Sequence, residues 1–234
     1  MTEQSAKSLY NPEFEHDSCG FGLIANLDDM PSHWIVETAI AALARLTHRG
    51  AVAADGKTGD GCGLLLKFPE KFLRAVGEEL SFSLNQRFAV GSVFLSQDET
   101  VARAARDVMA EAIANTGLQV AGWREVPIDS SACGEQALMT LPRIEQVFVN
   151  APEGMPRGRF NRRLFLARRR AENRTADDET YVASLSSATI IYKAMIMPAA
   201  LPVFYPDLRD PRLETSVSVF HQRFSTNTLP EWQL

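Results

Sequence analysis

Hydrophobic and polar positions alternate along this chain between strand-like runs and helical stripes. The apolar run 21–27 predicts a buried strand. From Pro31-Ser32 the period changes: Ile35, Val36, Ala39, Ile40, Leu43 and Leu46 share one stripe, with Ser32 placed to cap the helix and Gly50 to stop it. The segment 54–63 is a glycine-rich loop running into a strand at Leu64, Leu65 and Leu66. Residues 69–80 predict a short amphipathic helix and 87–95 a strand. A stronger helix over 99–115 turns Val101, Ala105, Val108, Ala112 and Ile113 inward and closes at Gly117. Strands follow at 118–126 and 142–149, with Pro127 and a polar loop between them. Residues 150–158 read as a loop, 157–170 as a helix, and 181–187 and 189–197 as two strands about a tight bend. After the proline-punctuated stretch 198–206, residues 215–220 alternate Ser with Val and Phe, the pattern of a strand with one buried face. The pattern gives mixed α and β content without an order of layers.

Composition narrows the function classes. A chain of 234 residues can bury a full core as one large domain. Its hydrophobic content of 45% and charged content of 23% are those of a soluble globular protein. The net charge of -5 gives no support for general nucleic-acid binding. The most basic stretch, ending in Arg168-Arg169-Arg170, shares its helix with Phe160, Leu164, Phe165 and Ala167 and is followed by Asp177-Asp178-Glu179. It reads as a solvated helix face. Three cysteines are too few for a disulfide framework, and none are paired at metal-ligand spacing, so a reducing, cytoplasmic setting is expected. Residues 1–18 lack the apolar core of a signal peptide, and no run approaches the ~20 residues of a membrane span. That leader is either a floppy tail or a propeptide.

Candidate chemistry centres on Asp17-Ser18-Cys19-Gly20-Phe21-Gly22. Cleavage between Ser18 and Cys19 would give Cys19 a free α-amino group beside its thiol, a nucleophile and a base within one residue. The alternative is a small buried cysteine at a strand edge. His48-Arg49-Gly50 ends the first helix. Arg49 there either complements the helix dipole or presents a planar guanidinium to a carboxylate. The glycine loop, with four glycines between Gly56 and Gly63, lacks phosphate-loop spacing and leads to a strand. Its backbone and Asp60 line a small-molecule pocket, or it is an elaborate hairpin. The strand at 215–220 delivers His221-Gln222-Arg223-Phe224-Ser225-Thr226-Asn227-Thr228 at its end, where polar groups build sites.

Cys19-Gly20-Phe21-Gly22, His48-Arg49-Gly50, the 54–63 glycine loop and 221–228, in this order, closely resemble the amidotransferase domain at the front of glutamate synthase large subunits. These belong to the class II glutamine amidotransferases. The resemblance covers the chain from about residue 11 onward and implies an α+β fold, the N-terminal nucleophile hydrolase four-layer αββα sandwich. It further implies that residues 1–18 are a propeptide and 19–234 the amidotransferase domain. Cys19 would then be the N-terminal nucleophile, with Arg49 and Arg223 gripping L-glutamine and Phe224, Ser225 and Thr226 shaping its pocket. In such enzymes glutamine yields glutamate and ammonia, and the ammonia reaches 2-oxoglutarate.

The family's oxyanion donors are an Asn-Gly pair beyond the strand-end motif, and no Asn-Gly dipeptide occurs in the 234 residues. The expectation is therefore a C-terminally truncated domain. FMN and an iron–sulfur cluster would be held by a synthase region outside this segment. The implied partners are the remainder of the large subunit and a small NADPH-dependent subunit, with no nucleic acid and no membrane. Two other readings stand beside the leading one: an inactive glutamine-binding or interaction module, and a different N-terminal nucleophile amidohydrolase.

Overall fold

A computed structural model of the chain describes residues 19–225 and 229–233. Two four-stranded antiparallel sheets organise it. The first has the order β1 (Gly20–Ala25), β8 (Val217–Gln222), β2 (Thr58–Lys67) and β7 (Thr189–Ile196). The second has the order β4 (Gln119–Glu125), β5 (Arg143–Asn150), β3 (Phe88–Leu95) and β6 (Tyr181–Ser186). β6 and β7 flank the tight bend expected from sequence, yet they belong to different sheets, so that bend carries the chain from one sheet to the other. Among the described residues six α-helices fill the connections: α1 (His33–Ala44), α2 (Glu70–Glu79), α3 (Glu99–Ala114), α4 (Glu135–Met139), α5 (Arg157–Arg174) and α6 (Leu201–Phe204).

Two apolar cores hold these elements. The larger joins Leu64, Leu66, Ile190 and Tyr192 of the first sheet to Val90, Phe94, Ile144 and Phe148 of the second, with α1 and α2 contributing Val36, Leu43, Phe72 and Leu73. The smaller lies on the opposite face of the second sheet, where Val93, Val147 and Val149 meet α3 and α5. β3, buried along its whole length, is shared by both. Between the sheets Arg124 forms a two-pronged ion pair with Asp207, both bonds 2.7 Å, and Tyr192 donates to the same carboxylate at 3.1 Å. Burying that charge is tolerable because each partner is satisfied.

Several elements depart from their sequence patterns for identifiable reasons. Ser32 occupies the N-cap of α1, but its side chain makes no capping bond; its backbone is engaged in a bridge to Thr215. α1 stops at Ala44, and the short 3₁₀ turn Thr47–Arg49 follows, so Arg49 does not cap the α-helix. α3 buries Ala102, Ala105, Met109, Ala112 and Ile113, rotated from the expected stripe so that Val101 and Val108 are half-buried. On α5, Phe165 points to solvent, while Phe160, Leu164, Ala167 and Ala171 pack inward. In β8 the buried positions are Ser218, Phe220 and Gln222, and the valines lie on the other face. Phe220 sets that phase by packing over Gly22, whose place a Cβ could not share, being 2.3 Å from the ring.

The largest difference concerns the glycine segment. More than half of it is strand, since β2 begins at Thr58. A bulge interrupts its register with β7 between Thr58 and Cys62, and Gly61 takes φ +120, a conformation open to glycine. Preceding the strand, Asp55 closes the turn by accepting from the Lys57 and Thr58 amides at 2.9 and 2.7 Å.

Candidate functional site

β1 and β8 run antiparallel with Gly20 opposite Gln222, so the next step along each strand sets Cys19 against Arg223. The Phe224 N–H donates to Cys19 Sγ at 3.4 Å, and the thiol is 3.9 Å from the Phe224 carbonyl oxygen. Cys19 is half-buried and free, so its sulfur is held at the sheet edge while staying accessible. The other two cysteines differ. Burial pushes the Cys62 thiol up to about 12 and, with Asp129 nearby, the Cys133 thiol up to about 11, which leaves both protonated at neutral pH.

The 3₁₀ turn brings Arg49 to this edge. Its Cβ lies 3.1 Å from where a Cβ on Gly20 would sit, so the arginine stem passes over the residue beside the nucleophile candidate. Gly50 lets the turn come closer still. A Cβ there would fall 1.9 Å from Gln222 Nε2 and 3.0 Å from the Arg223 carbonyl oxygen. The Arg49 turn and Arg223 thereby meet at the β1–β8 edge where Cys19 sits. The arrangement suits a substrate with a carboxylate and a carbonyl open to attack.

Arg223 is fixed to the bulge of β2. Its N–H donates to the Gly61 carbonyl at 2.9 Å, and its Nη1 is 3.5 Å from the Asp60 carbonyl oxygen. Beyond it a cavity of about 250 Å³ is lined by Gly63, Leu65, Lys193, Val219, His221 and Arg223. Burial, reinforced by Arg223, lowers the Lys193 ammonium to about 8; burial and both cations hold His221 below the ordinary imidazole range.

Of the residues singled out by sequence, Cys19, Arg49, Arg223, Phe224 and Ser225 come together at one sheet end, while Thr226 lies outside the described residues, as do 1–18. Asp60 is not a pocket-lining carboxylate with open oxygens. It is 4% exposed, and its Oδ2 accepts from the Ala51 and Ser225 N–H groups at 3.1 and 2.8 Å. Sequence reasoning missed that role, and it missed the Phe224 backbone as the sulfur's partner. An acidic residue between two glycines of a strand was the available signal for the first. Backbone groups leave none. Among the described residues no cluster of His, Cys, Asp or Glu could hold a metal ion, and the cysteines present do not fit an iron–sulfur site.

Comparison with known proteins bears directly on this site. The family model for class-II glutamine amidotransferases matches residues 19–234, beginning at Cys19. The glutamate synthase [NADPH] large chain of Azospirillum brasilense is 42% identical over 97% of this chain, and that of Bacillus subtilis (strain 168) is 38% identical over 97%. Ferredoxin-dependent glutamate synthase 2 of Synechocystis sp. is 40% identical over 100%. The chain spans about 15% of the length of these relatives. With a cysteine at the first matched position and two arginines gathered about it, the chain belongs to the class-II glutamine amidotransferases.

Proposed function

We propose that this chain is the glutamine-hydrolysing domain of a glutamate synthase, with Cys19 as the N-terminal nucleophile. The observation that carries the reading is the placement of Cys19 Sγ on Phe224, between the Arg49 turn and Arg223. Release of residues 1–18 frees the Cys19 α-amine. The thiol adds to the side-chain carbonyl of glutamine and its proton passes to that amine. The amine then protonates the amide nitrogen, the C–N bond breaks and ammonia leaves. Water attacks the resulting γ-glutamyl thioester, releasing glutamate and restoring the thiol. Arg49 and Arg223 bind the α-carboxylate, while Phe224, Ser225 and Thr226 wall the pocket.

The names of the relatives support a role in glutamate synthesis, in which the ammonia passes to 2-oxoglutarate held elsewhere in the large chain. On this reading the two sheets are the inner layers of an αββα sandwich, and the domain works in the cytoplasm. FMN, an iron–sulfur cluster and a small NADPH-dependent subunit belong to the rest of that assembly. No helix among the described residues is long and apolar enough to cross a membrane.

Release of glutamate from glutamine tests the reading, with acyl amides lacking an α-carboxylate as controls. Glutamine turnover that disappears in Cys19→Ala is the expected result. Preference for the acyl amides would place the chain among amidohydrolases of another specificity.

A further inference from the structure

The two segments proposed to hold glutamine come from distant parts of the sequence, and one buried oxygen joins them. Asp60 Oδ2 accepts from the N–H of Ala51, nine positions away, and from that of Ser225, 165 positions away. The backbone of the same strand takes part as well: Gly61 O accepts from the Arg223 N–H at 2.9 Å, and Val52 bridges to Gly59. Asp60 sits in the β2 bulge, where the register shift and the positive φ of Gly61 divert the chain from regular pairing. The relative position of the Arg49 turn and the segment after β8 is set by this side chain, by the backbone bonds of each to β2, and by the close approach of Gly50 to Gln222 and Arg223.

We infer that Asp60 is a positioning residue for glutamine, its carboxylate clamping the 49–51 turn to the 223–225 segment so that Arg49 and Arg223 address one substrate. The inference rests on the glutamine reading above. A carboxylate oxygen suits the task because an anionic acceptor bonds two amides more strongly than a neutral one, and its removal takes the shared acceptor from both N–H groups. Asp60 does not touch the reacting atoms on this account, and its effect reaches them through the two arginines.

The test compares two reactions at Cys19 with amide exchange in the full chain. Labelling by a glutamine-shaped diazoketone needs the arginines, whereas alkylation by iodoacetamide needs only an accessible sulfur; peptide mapping assigns both to Cys19. In Asp60→Ala, diazoketone labelling is expected to slow by about tenfold or more while alkylation stays within about twofold. Hydrogen exchange at Ala51 and Ser225 should accelerate together, with Leu64 and Leu66 of β2 still protected. Asp60→Asn keeps an oxygen acceptor of lower strength and should fall between, losing about threefold in labelling. If Asp60→Ala does not fold, that graded loss in Asp60→Asn carries the test, and wild-type labelling and exchange there would contradict the clamp. Equal slowing of both reagents would reduce Asp60 to a structural residue and overturn its positioning role, as would faster exchange with unchanged labelling. If the wild-type chain takes no diazoketone, the glutamine reading fails, and the exchange data still judge the clamp: unchanged exchange at Ala51 and Ser225 overturns it.

Discussion

The Phe224 N–H donates to Cys19 Sγ at 3.4 Å across the edge of the first sheet, joining residues 205 positions apart. That contact depends on the β1–β8 register, because a slip of one residue would send either side chain to the opposite face. It fixes where the sulfur sits and sets it one residue from an arginine. Nucleophilic catalysis requires such placement, since effective concentration falls steeply with misorientation.

Arginine should not be replaceable by lysine at the two flanking positions. A lysine keeps the charge but cannot give a carboxylate two parallel N–H bonds. Arg223→Lys and Arg49→Lys are each expected to raise the KM for glutamine by about tenfold or more, with a smaller effect on kcat. Steady-state kinetics over a wide glutamine range checks this, and an unchanged KM would remove that arginine from the binding site.

The Arg124–Asp207 pair is expected to govern stability. Both side chains are nearly buried, at 10% and 5% exposure, and Asp207 also accepts from Tyr192. Asp207→Ala leaves the guanidinium without its carboxylate and should cost about 3–5 kcal/mol. The urea-unfolding midpoint measures it.

Acid should weaken the glycine-segment turn. Hydrogen bonds from the Thr58 hydroxyl and amide, followed by the Lys57 amide, hold the Asp55 carboxyl well below its ordinary value of 3.8. A carboxyl whose folded value is depressed contributes stability above the unfolded value, and loses it as pH falls from about 3.8 toward the lower folded value. Asp55→Asn should therefore lower the melting temperature at pH 7 and narrow the gap to wild type as the buffer is taken below pH 3.8. A gap independent of pH would contradict this.

Lys193 gives a second titration. Burial, with Arg223 adding repulsion, lowers its ammonium to about 8 from an ordinary 10.5. Its neutral amine should therefore appear at lower pH than the ordinary lysine value allows. The pH dependence of acylation, read residue by residue, should turn near 8 at Lys193.

Periodicity made most elements legible, because burial on one face leaves a period in the sequence. α2, β3, β4 and β5 fall within a residue or two of their patterns. It failed where the backbone or a distant neighbour decided. The glycine segment reads as a loop because glycines seldom build strands, yet β2 needs them: a Cβ on Gly59 would meet the Ile196 carbonyl at 2.7 Å. The phase of β8 was hidden because adjacent Val219 and Phe220 are both apolar, and packing against Gly22 chose Phe220 for the interior. At the site, the cysteine and arginines were legible as residue types in motifs. The clamp at Asp60 was not, since its partners are backbone amides that no side chain announces.

The central claim is that Cys19 becomes an N-terminal nucleophile in a glutamine-shaped pocket, and intact mass with and without the glutamine-shaped diazoketone tests it most directly. The account predicts a species beginning at Cys19 that gains one adduct, mapped to that residue and blocked by excess glutamine. A chain that keeps residues 1–18 and gains no adduct would contradict it.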